Sequence, residues 1–68
     1  MNTMGKRIGE LRRKKGITQD QLSEAMGVSS QAVSKWENDI SCPDIGLLPQ
    51  MADYLNTTID YLVRGDGG

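Results

Sequence analysis

The chain has 68 residues, of which 25% are charged and 37% are hydrophobic, and its formal net charge is −1 at pH 7. These values suit one small folded domain and argue against wholesale disorder. The sequence contains no His and a single Cys, Cys42. It therefore excludes a His-based catalytic triad, a zinc finger and an internal disulfide framework.

The sequence carries no signal for membrane insertion or export. No apolar run approaches the roughly 20 residues that span a bilayer, and the N-terminus MNTMGKRIGE lacks the apolar stretch of a signal peptide. A lone thiol suits a reducing compartment, so we expect a cytoplasmic protein. So short a chain supplies little wall for a water-excluding pocket, and its carboxylates form no acid–base pair. We expect no enzyme activity, no metal and no cofactor.

Basic residues are concentrated near the N-terminus. Residues 1–17 contain six Lys or Arg and one acidic residue, which gives a net charge of +5. Residues 18–68 contain two Lys or Arg and eight acidic residues, which gives a net charge of −6. An asymmetry of this size indicates one surface that attracts anions and another that repels them. The alternative is a basic helix that only faces solvent.

Apolar residues recur at three- and four-residue spacings without strict alternation, which predicts helices rather than strands. The first helix is predicted over residues 4–15, with Met4, Ile8 and Leu11 on its buried face. Gly16 follows it and can adopt the left-handed conformation that ends many helices.

The second and third predicted helices flank a short turn. Thr18 and Gln21 form a T-x-x-Q capping box, so the second helix is expected to start after Thr18 and to end at Gly27. Ser29 is the predicted N-cap of a third helix over residues 30–37. At about 100° per residue, the apolar side chains of this third helix share one side: Ala32, Val33 and Trp36.

Two shorter helices complete the prediction. A fourth is expected over roughly residues 45–55, with regular helix from about Gly46, because Pro49 is tolerated only in a first turn. Thr58 is the predicted cap of a fifth helix. The fold class is therefore all-α, a compact five-helix domain over residues 1–68. Its globular part spans about residues 4–63, and residues 64–68 are expected to form a flexible tail.

The second helix, the turn at Gly27 and the third helix form a candidate helix-turn-helix. Thr18 and Gln19 lie at the N-terminus of the second helix, where free N–H groups and the helix dipole favour a phosphate. On the third helix, Gln31 can pair with adenine in two hydrogen bonds, and Lys35 can reach a guanine or a phosphate. The predicted base-contacting residues are Ser30, Gln31, Ser34 and Lys35. An ordinary polar helix surface is the alternative.

The run ITQDQLSEAMGVSSQAVSKWEND resembles the helix-turn-helix of the Xre family, the class of phage Cro and lambda-type repressors. The flanking runs IGELRRKKG and PDIGLLPQMADYLNTTIDYL resemble the first, fourth and fifth helices of that family. The resemblance covers about residues 4–63. It implies a lambda-repressor-like domain that binds double-stranded DNA sequence-specifically and regulates transcription as a repressor.

The resemblance also implies roles for individual residues. Gln19 matches a family Gln that binds a backbone phosphate and braces the third helix. Arg12 and Glu37 match an ion pair that links the first and third helices. The full set of implied phosphate contacts is Thr18, Gln19, Ser29, Asn38 and Arg12.

Two departures from the family pattern lower the expected affinity for the DNA backbone. Many members have Asn-Gly and a basic residue where this chain has Asn38, Asp39 and Ile40. Ser30 is shorter than the Gln that often braces Gln19, so a direct bond between them is expected to be absent or bridged by water. We expect few phosphate contacts and a modest dependence of affinity on salt.

Some apolar residues exceed what the predicted core needs: Leu47, Tyr54, Tyr61 and Val63. Such a surplus in a small domain indicates a homodimer through the fourth and fifth helices. A dimer would hold two recognition helices about 34 Å apart on a pseudo-palindromic operator. Scattered apolar surface residues are the alternative.

A second class of function is compatible with the sequence. The acidic C-terminal two-thirds would suit an antitoxin or an adaptor module, whose main partner is another protein such as a toxin or an effector domain.

Overall fold

The computed structural model describes residues 2–65, and this part of the chain consists of five α-helices and one 3₁₀ turn. The helices are α1 Met4–Lys15, α2 Gln19–Met26, α3 Ser30–Glu37, α4 Leu48–Tyr54 and α5 Ile59–Arg64, and the 3₁₀ turn is Ile45–Leu47. The predicted all-α, five-helix fold is confirmed. Within the described residues, no helix has both the length and the apolar character needed to cross a bilayer.

The helix boundaries follow from the capping residues. The side-chain oxygens of Thr3, Thr18, Ser29 and Thr58 each accept a hydrogen bond from a backbone N–H in the first turn of the helix that follows. The capping box of α2 is complete, because Gln21 Oε1 also accepts from the backbone N–H of Thr18 at 2.8 Å. Gly16 and Gly27 end α1 and α2 with φ of 77° and 72°, a conformation that glycine adopts without steric cost.

One core joins all five helices. Its apolar side chains are each at most 6% exposed: Ile8, Leu22, Met26, Val33, Trp36, Leu48, Met51, Ala52, Leu55 and Leu62. Full burial of a large apolar side chain contributes about 1.5–3 kcal/mol. Trp36 and Val33 belong to this core, so they fix the inward side of α3.

The backbones of α1 and α3 approach closely, because α1 presents glycines to its neighbour. A Cβ at Gly5 would overlap the backbone carbonyl oxygen of Trp36, and a Cβ at Gly9 would crowd the Glu37 carboxylate at 3.2 Å. These two glycines are one turn apart and share a face of α1.

The start of α4 differs from the prediction. Residues 45–47 form a 3₁₀ turn, and α-helix begins only at Leu48, which places Pro49 in the first turn. The helix ends at Tyr54, and Asn56 follows with φ of 57°, a left-handed conformation that Asn tolerates better than most residues.

The end of α5 is more ordered than the predicted tail. Arg64 is helical, and Gly65 is a left-handed cap with φ of 79°. Arg7, only 4% exposed, explains this order: Nε and Nη2 donate to the carbonyl oxygen of Leu62 at 3.1 and 2.9 Å, and Nη2 donates to that of Val63 at 3.1 Å. The buried guanidinium thereby caps the negative end of α5. The rest of the predicted tail, 66–68, lies outside the described residues.

Candidate nucleic-acid interface

The two helices of the motif are joined by three residues. α2 ends at Met26, Gly27 turns the chain, and Ser29 caps α3 through a bond from the Ala32 backbone N–H to its Oγ at 3.2 Å. Because Val33 and Trp36 are buried, the opposite side of α3 faces outward.

This outward side carries the four predicted base-contacting residues. Gln31 and Lys35 are exposed and lie one turn apart, while Ser30 and Ser34 are half-buried and also one turn apart. Within residues 2–65, none of these four side chains forms a hydrogen bond or ion pair with another residue. Their amide, hydroxyl and ammonium groups are therefore available to a ligand that lies along α3.

The N-terminus of α2 leaves two backbone N–H groups without a hydrogen-bond acceptor inside the helix. Thr18 Oγ1 accepts a hydrogen bond from the backbone N–H of Gln21, and the Thr18 carbonyl oxygen accepts one from the backbone N–H of Leu22. The N–H groups of Gln19 and Asp20 have no intrahelical acceptor, as is usual for the first turn of a helix. They give α2 a positive end that suits an anion.

Glu37, the last residue of α3, joins three helices. Arg12 on α1 donates to it twice, from Nε to Oε2 at 2.7 Å and from Nη2 to Oε1 at 3.1 Å. Gln19 on α2 donates from Nε2 to Oε1 at 3.2 Å. The side chains of Arg12 and Glu37 are 13% and 9% exposed, so the pair is largely desolvated.

The contacts of Arg12 do not support a phosphate role. Besides its two bonds to Glu37, its Nη1 donates to the carbonyl oxygen of Ile17 at 2.9 Å. All three guanidinium nitrogens are therefore engaged inside the fold. Gln19 braces α3 by binding Glu37, and no bond links it to Ser30.

Two residues flank the exposed side of α3 at its ends. Ser29 is exposed at the N-terminus, and its Oγ is partly used in the cap. Asn38 is exposed at the C-terminus, and its Nδ2 donates to the backbone carbonyl oxygen of Ser34 at 2.8 Å. Within residues 2–65, neither the carboxamide oxygen of Asn38 nor the hydroxyl hydrogen of Ser29 takes part in a hydrogen bond.

Asp39 occupies the position where a left-handed backbone is needed after α3. Its φ is 59°, which explains why a glycine is suited to this position, and its Oδ2 accepts from Thr3 Oγ1 at 2.7 Å. The carboxylate is exposed and ties the start of α1 to the end of α3. Neither this contact nor the one between Gln19 and Glu37 was predicted, because each joins residues far apart in the sequence.

The four residues predicted for a dimer patch differ in how far their side chains are exposed. Leu47, Tyr54 and Tyr61 are half-buried, and the first two pack against the core, so they are less available than predicted. Val63 is 48% exposed. The other large apolar side chains that are exposed within residues 2–65 were not included in the predicted dimer patch: Ile40, Ile45 and Ile59.

The described residues contain no group of three or more acidic, Cys or His side chains that would hold a metal ion. Cys42 is an exposed thiol in the loop between α3 and the 3₁₀ turn.

Sequence comparison finds relatives whose names describe them as transcriptional regulators. The chain is 37% identical over 60 residues to the "HTH-type transcriptional activator BcrR" of Enterococcus faecalis, which covers 88% of this chain and 29% of that protein. It is 33% identical over 64 residues to the "HTH-type transcriptional regulator ImmR" of Bacillus subtilis strain 168, covering 94% and 50%. The chain thus spans half or less of the length of these curated relatives.

Structure comparison gives a close match over the whole fold. The crystal structure of the P22 c2 repressor in complex with the synthetic operator 9T superposes with a TM-score of 0.91 at 36% identity, covering 97% of this chain and 100% of that one. The corresponding protein of Salmonella phage P22, "Repressor protein C2", is 40% identical over 68 residues, covering 97% of this chain and 32% of the repressor.

A helix-turn-helix family model matches residues 8–62, which include the whole of α2, α3 and α4. With that match, the superposed repressor fold and the α2–α3 geometry, the chain belongs to the Xre, or lambda-repressor-like, helix-turn-helix family.

Proposed function

We propose that this chain binds double-stranded DNA sequence-specifically through α3 and regulates transcription. The observation that carries the proposal is the outward side of α3, where four polar side chains have no partner within the described residues while the opposite side is buried. The P22 c2 repressor, which has the same fold, is known in complex with an operator.

In this proposal α3 lies in the major groove, which is wide enough to admit a helix. Gln31 donates to and accepts from an adenine edge, and Lys35 donates to a guanine. Since these two residues are four positions apart, about 6 Å along the helix axis, they contact base pairs one or two steps apart. The side chains of Ser30 and Ser34 are shorter, so their hydroxyls stay near the α3 backbone and each accepts or donates a single hydrogen bond.

Phosphate contacts hold α3 in register. The free N–H groups at the start of α2, together with the Gln19 side chain, meet one phosphate. Ser29 and Asn38 meet phosphates at the two ends of α3. Arg12 is left out because each of its three nitrogens already donates inside the fold and its side chain is only 13% exposed, whereas Gln19 Nε2 keeps a second N–H beyond its bond to Glu37. The exposed Asp39 carboxylate repels the backbone, so we expect affinity to depend only modestly on salt.

A homodimer on a pseudo-palindromic operator is the functional form we propose. Ile59 and Val63 are 42% and 48% exposed and four residues apart, so they share one face of α5. A second copy would cover that face and place the second α3 about one helical turn of DNA away. These two residues replace Leu47 and Tyr54 as the centre of the patch, whereas the half-buried Tyr61, two residues from each, lies on the other side of α5.

Repression by occupying a promoter is the simplest mechanism for a DNA-binding domain of this kind, and the P22 relative is named a repressor. BcrR is named an activator, so the sign of regulation is tested directly by a reporter gene downstream of the selected site. The relatives described above are named for transcription, which argues against the antitoxin alternative. A genomic DNA partner agrees with the predicted cytoplasmic location.

Selection from random duplexes, followed by affinity measurement at several salt concentrations, tests the proposal. On the selected site, Gln31→Ala should cost about 1–3 kcal/mol and relax the preference at one base pair. Gln19→Ala should weaken binding to all sequences alike, and Glu24→Gln, an exposed change on α2, should leave the base preference unaltered. A selection that returns no preferred sequence would overturn the proposal. Equal losses of Gln31→Ala on every sequence would assign Gln31 to the backbone.

A further inference from the structure

A second recessed surface lies away from α3, between the C-terminal half of α1 and the connection from α4 to α5. It is a cleft of about 230 Å³, lined by Leu11, Lys14, Lys15, Leu55 and Asn56. Leu55 is buried and Leu11 half-buried, so the floor is apolar, while both lysines are exposed at the rim.

The rim is positively charged and lacks a counter-charge. No carboxylate lines the cleft, and within residues 2–65 neither Lys14 nor Lys15 forms an ion pair. Lys15 Nζ lies over the ring of Tyr54, 4.9 Å from its centroid, and this contact holds the ammonium beside the cleft. An occupant that complements this surface carries negative charge around an apolar group.

The geometry points to a binding site for an acidic peptide segment of a partner protein. One apolar side chain of the segment packs between Leu11 and Leu55, and carboxylates on either side of it pair with Lys14 and Lys15. Typical small-molecule sites have volumes of about 300–1,000 Å³. This cleft has a smaller volume, so it suits one side chain better than a cofactor.

The DNA backbone fits the cleft less well than a peptide does. A phosphate brings charge but no apolar group, and placing it on a leucine floor removes water from it without compensation. None of the residues that line the cleft belongs to the proposed DNA-contacting set on α2 and α3, so the site does not depend on the DNA-binding proposal.

Peptide binding to the 68-residue chain tests this inference. The probes are a short fluorescent peptide of Asp and Glu with one central Leu, and the same peptide with Ser in its place. The Leu peptide should bind at least about tenfold more tightly than the Ser peptide. It should also shift the methyl NMR signals of Leu11 and Leu55. Equal binding of the two peptides would show that charge alone attracts them and would overturn the site.

Charge-reversal variants locate the site. Lys14→Glu with Lys15→Glu should weaken the Leu peptide by at least about tenfold. Lys6→Glu with Arg13→Glu, the same charge change on another side of α1, should leave its affinity nearly unchanged. Equal losses in both double variants would overturn the inference, as would Leu-peptide binding that survives Lys14→Gln with Lys15→Gln. A third outcome also overturns the inference: the wild-type chain binds neither peptide, and the Lys14 and Lys15 variants bind duplex DNA more weakly than it does. The two lysines would then be DNA contacts.

Discussion

Glu37 offers a direct test of what fixes α3 relative to the rest of the domain. Glu37→Gln removes the negative charge but keeps the side-chain volume, so the Arg12 guanidinium stays desolvated without its counter-ion. An exposed ion pair contributes about 0–1 kcal/mol, and breaking a fully buried pair costs about 3–5 kcal/mol. With the two side chains 13% and 9% exposed and a third bond from Gln19, the pair is nearer the buried limit.

We therefore expect Glu37→Gln to lower the free energy of unfolding by about 2–3 kcal/mol. For a domain of this size each kcal/mol corresponds to about 4–8 °C, so the midpoint of thermal unfolding should fall by roughly 10–20 °C. Urea titration followed by circular dichroism measures the free energy, and differential scanning calorimetry measures the midpoint. The exposed Glu24 supplies the control, since Glu24→Gln should change the free energy by less than about 0.5 kcal/mol.

A double-mutant cycle separates the pair from its surroundings. Adding Arg12→Met to Glu37→Gln removes the stranded cation, so the double variant should be more stable than the sum of the single losses predicts, by about 1 kcal/mol or more. Strict additivity would refute the reasoning. So would a Glu37→Gln loss no greater than that of Glu24→Gln, because the pair would then behave as a solvated surface contact.

Three further substitutions test other contacts by urea denaturation. Gly5→Ala should destabilise by about 1–3 kcal/mol because its Cβ meets the backbone of α3, whereas Gly46→Ala enters open space and should not destabilise. Arg7→Met should cost about 2–4 kcal/mol and speed amide exchange in α5, unlike Lys6→Met on the exposed side; equal exchange would disprove the cap. Thr18→Ala should cost about 0.5–2 kcal/mol through the lost capping box, and no loss would mean that α2 starts without it.

The starts of α2, α3 and α5 were predictable because they depend on neighbouring residues. Thr18, Ser29 and Thr58 accept bonds from N–H groups three residues away, so the sequence alone indicates each start. The side of α3 that faces outward was predictable for the same reason, since Val33 and Trp36 fix the inward side.

The contacts that orient the site were less predictable because they join distant residues. Arg7 lies in a basic run and reads as a solvated residue, yet it is buried because the end of α5, 55 residues away, closes over it. The ion pair of Arg12 came only from family resemblance, and Gln19 binds the same carboxylate from 18 residues away. Counting apolar residues also misjudged the exposed patch, since Leu47 and Tyr54 pack against the core.

The glycine contact between α1 and α3 has a consequence for recognition. With no side chain at Gly5 between the helices, main chain rests on main chain, and no rotamer change can tilt α3 to suit a poorly matched groove. The orientation of α3 is therefore fixed in the folded domain, so the entropic cost of ordering this helix is incurred during folding and not on DNA binding. In the proposed complex, adjustment to an imperfect operator then depends on bending of the duplex.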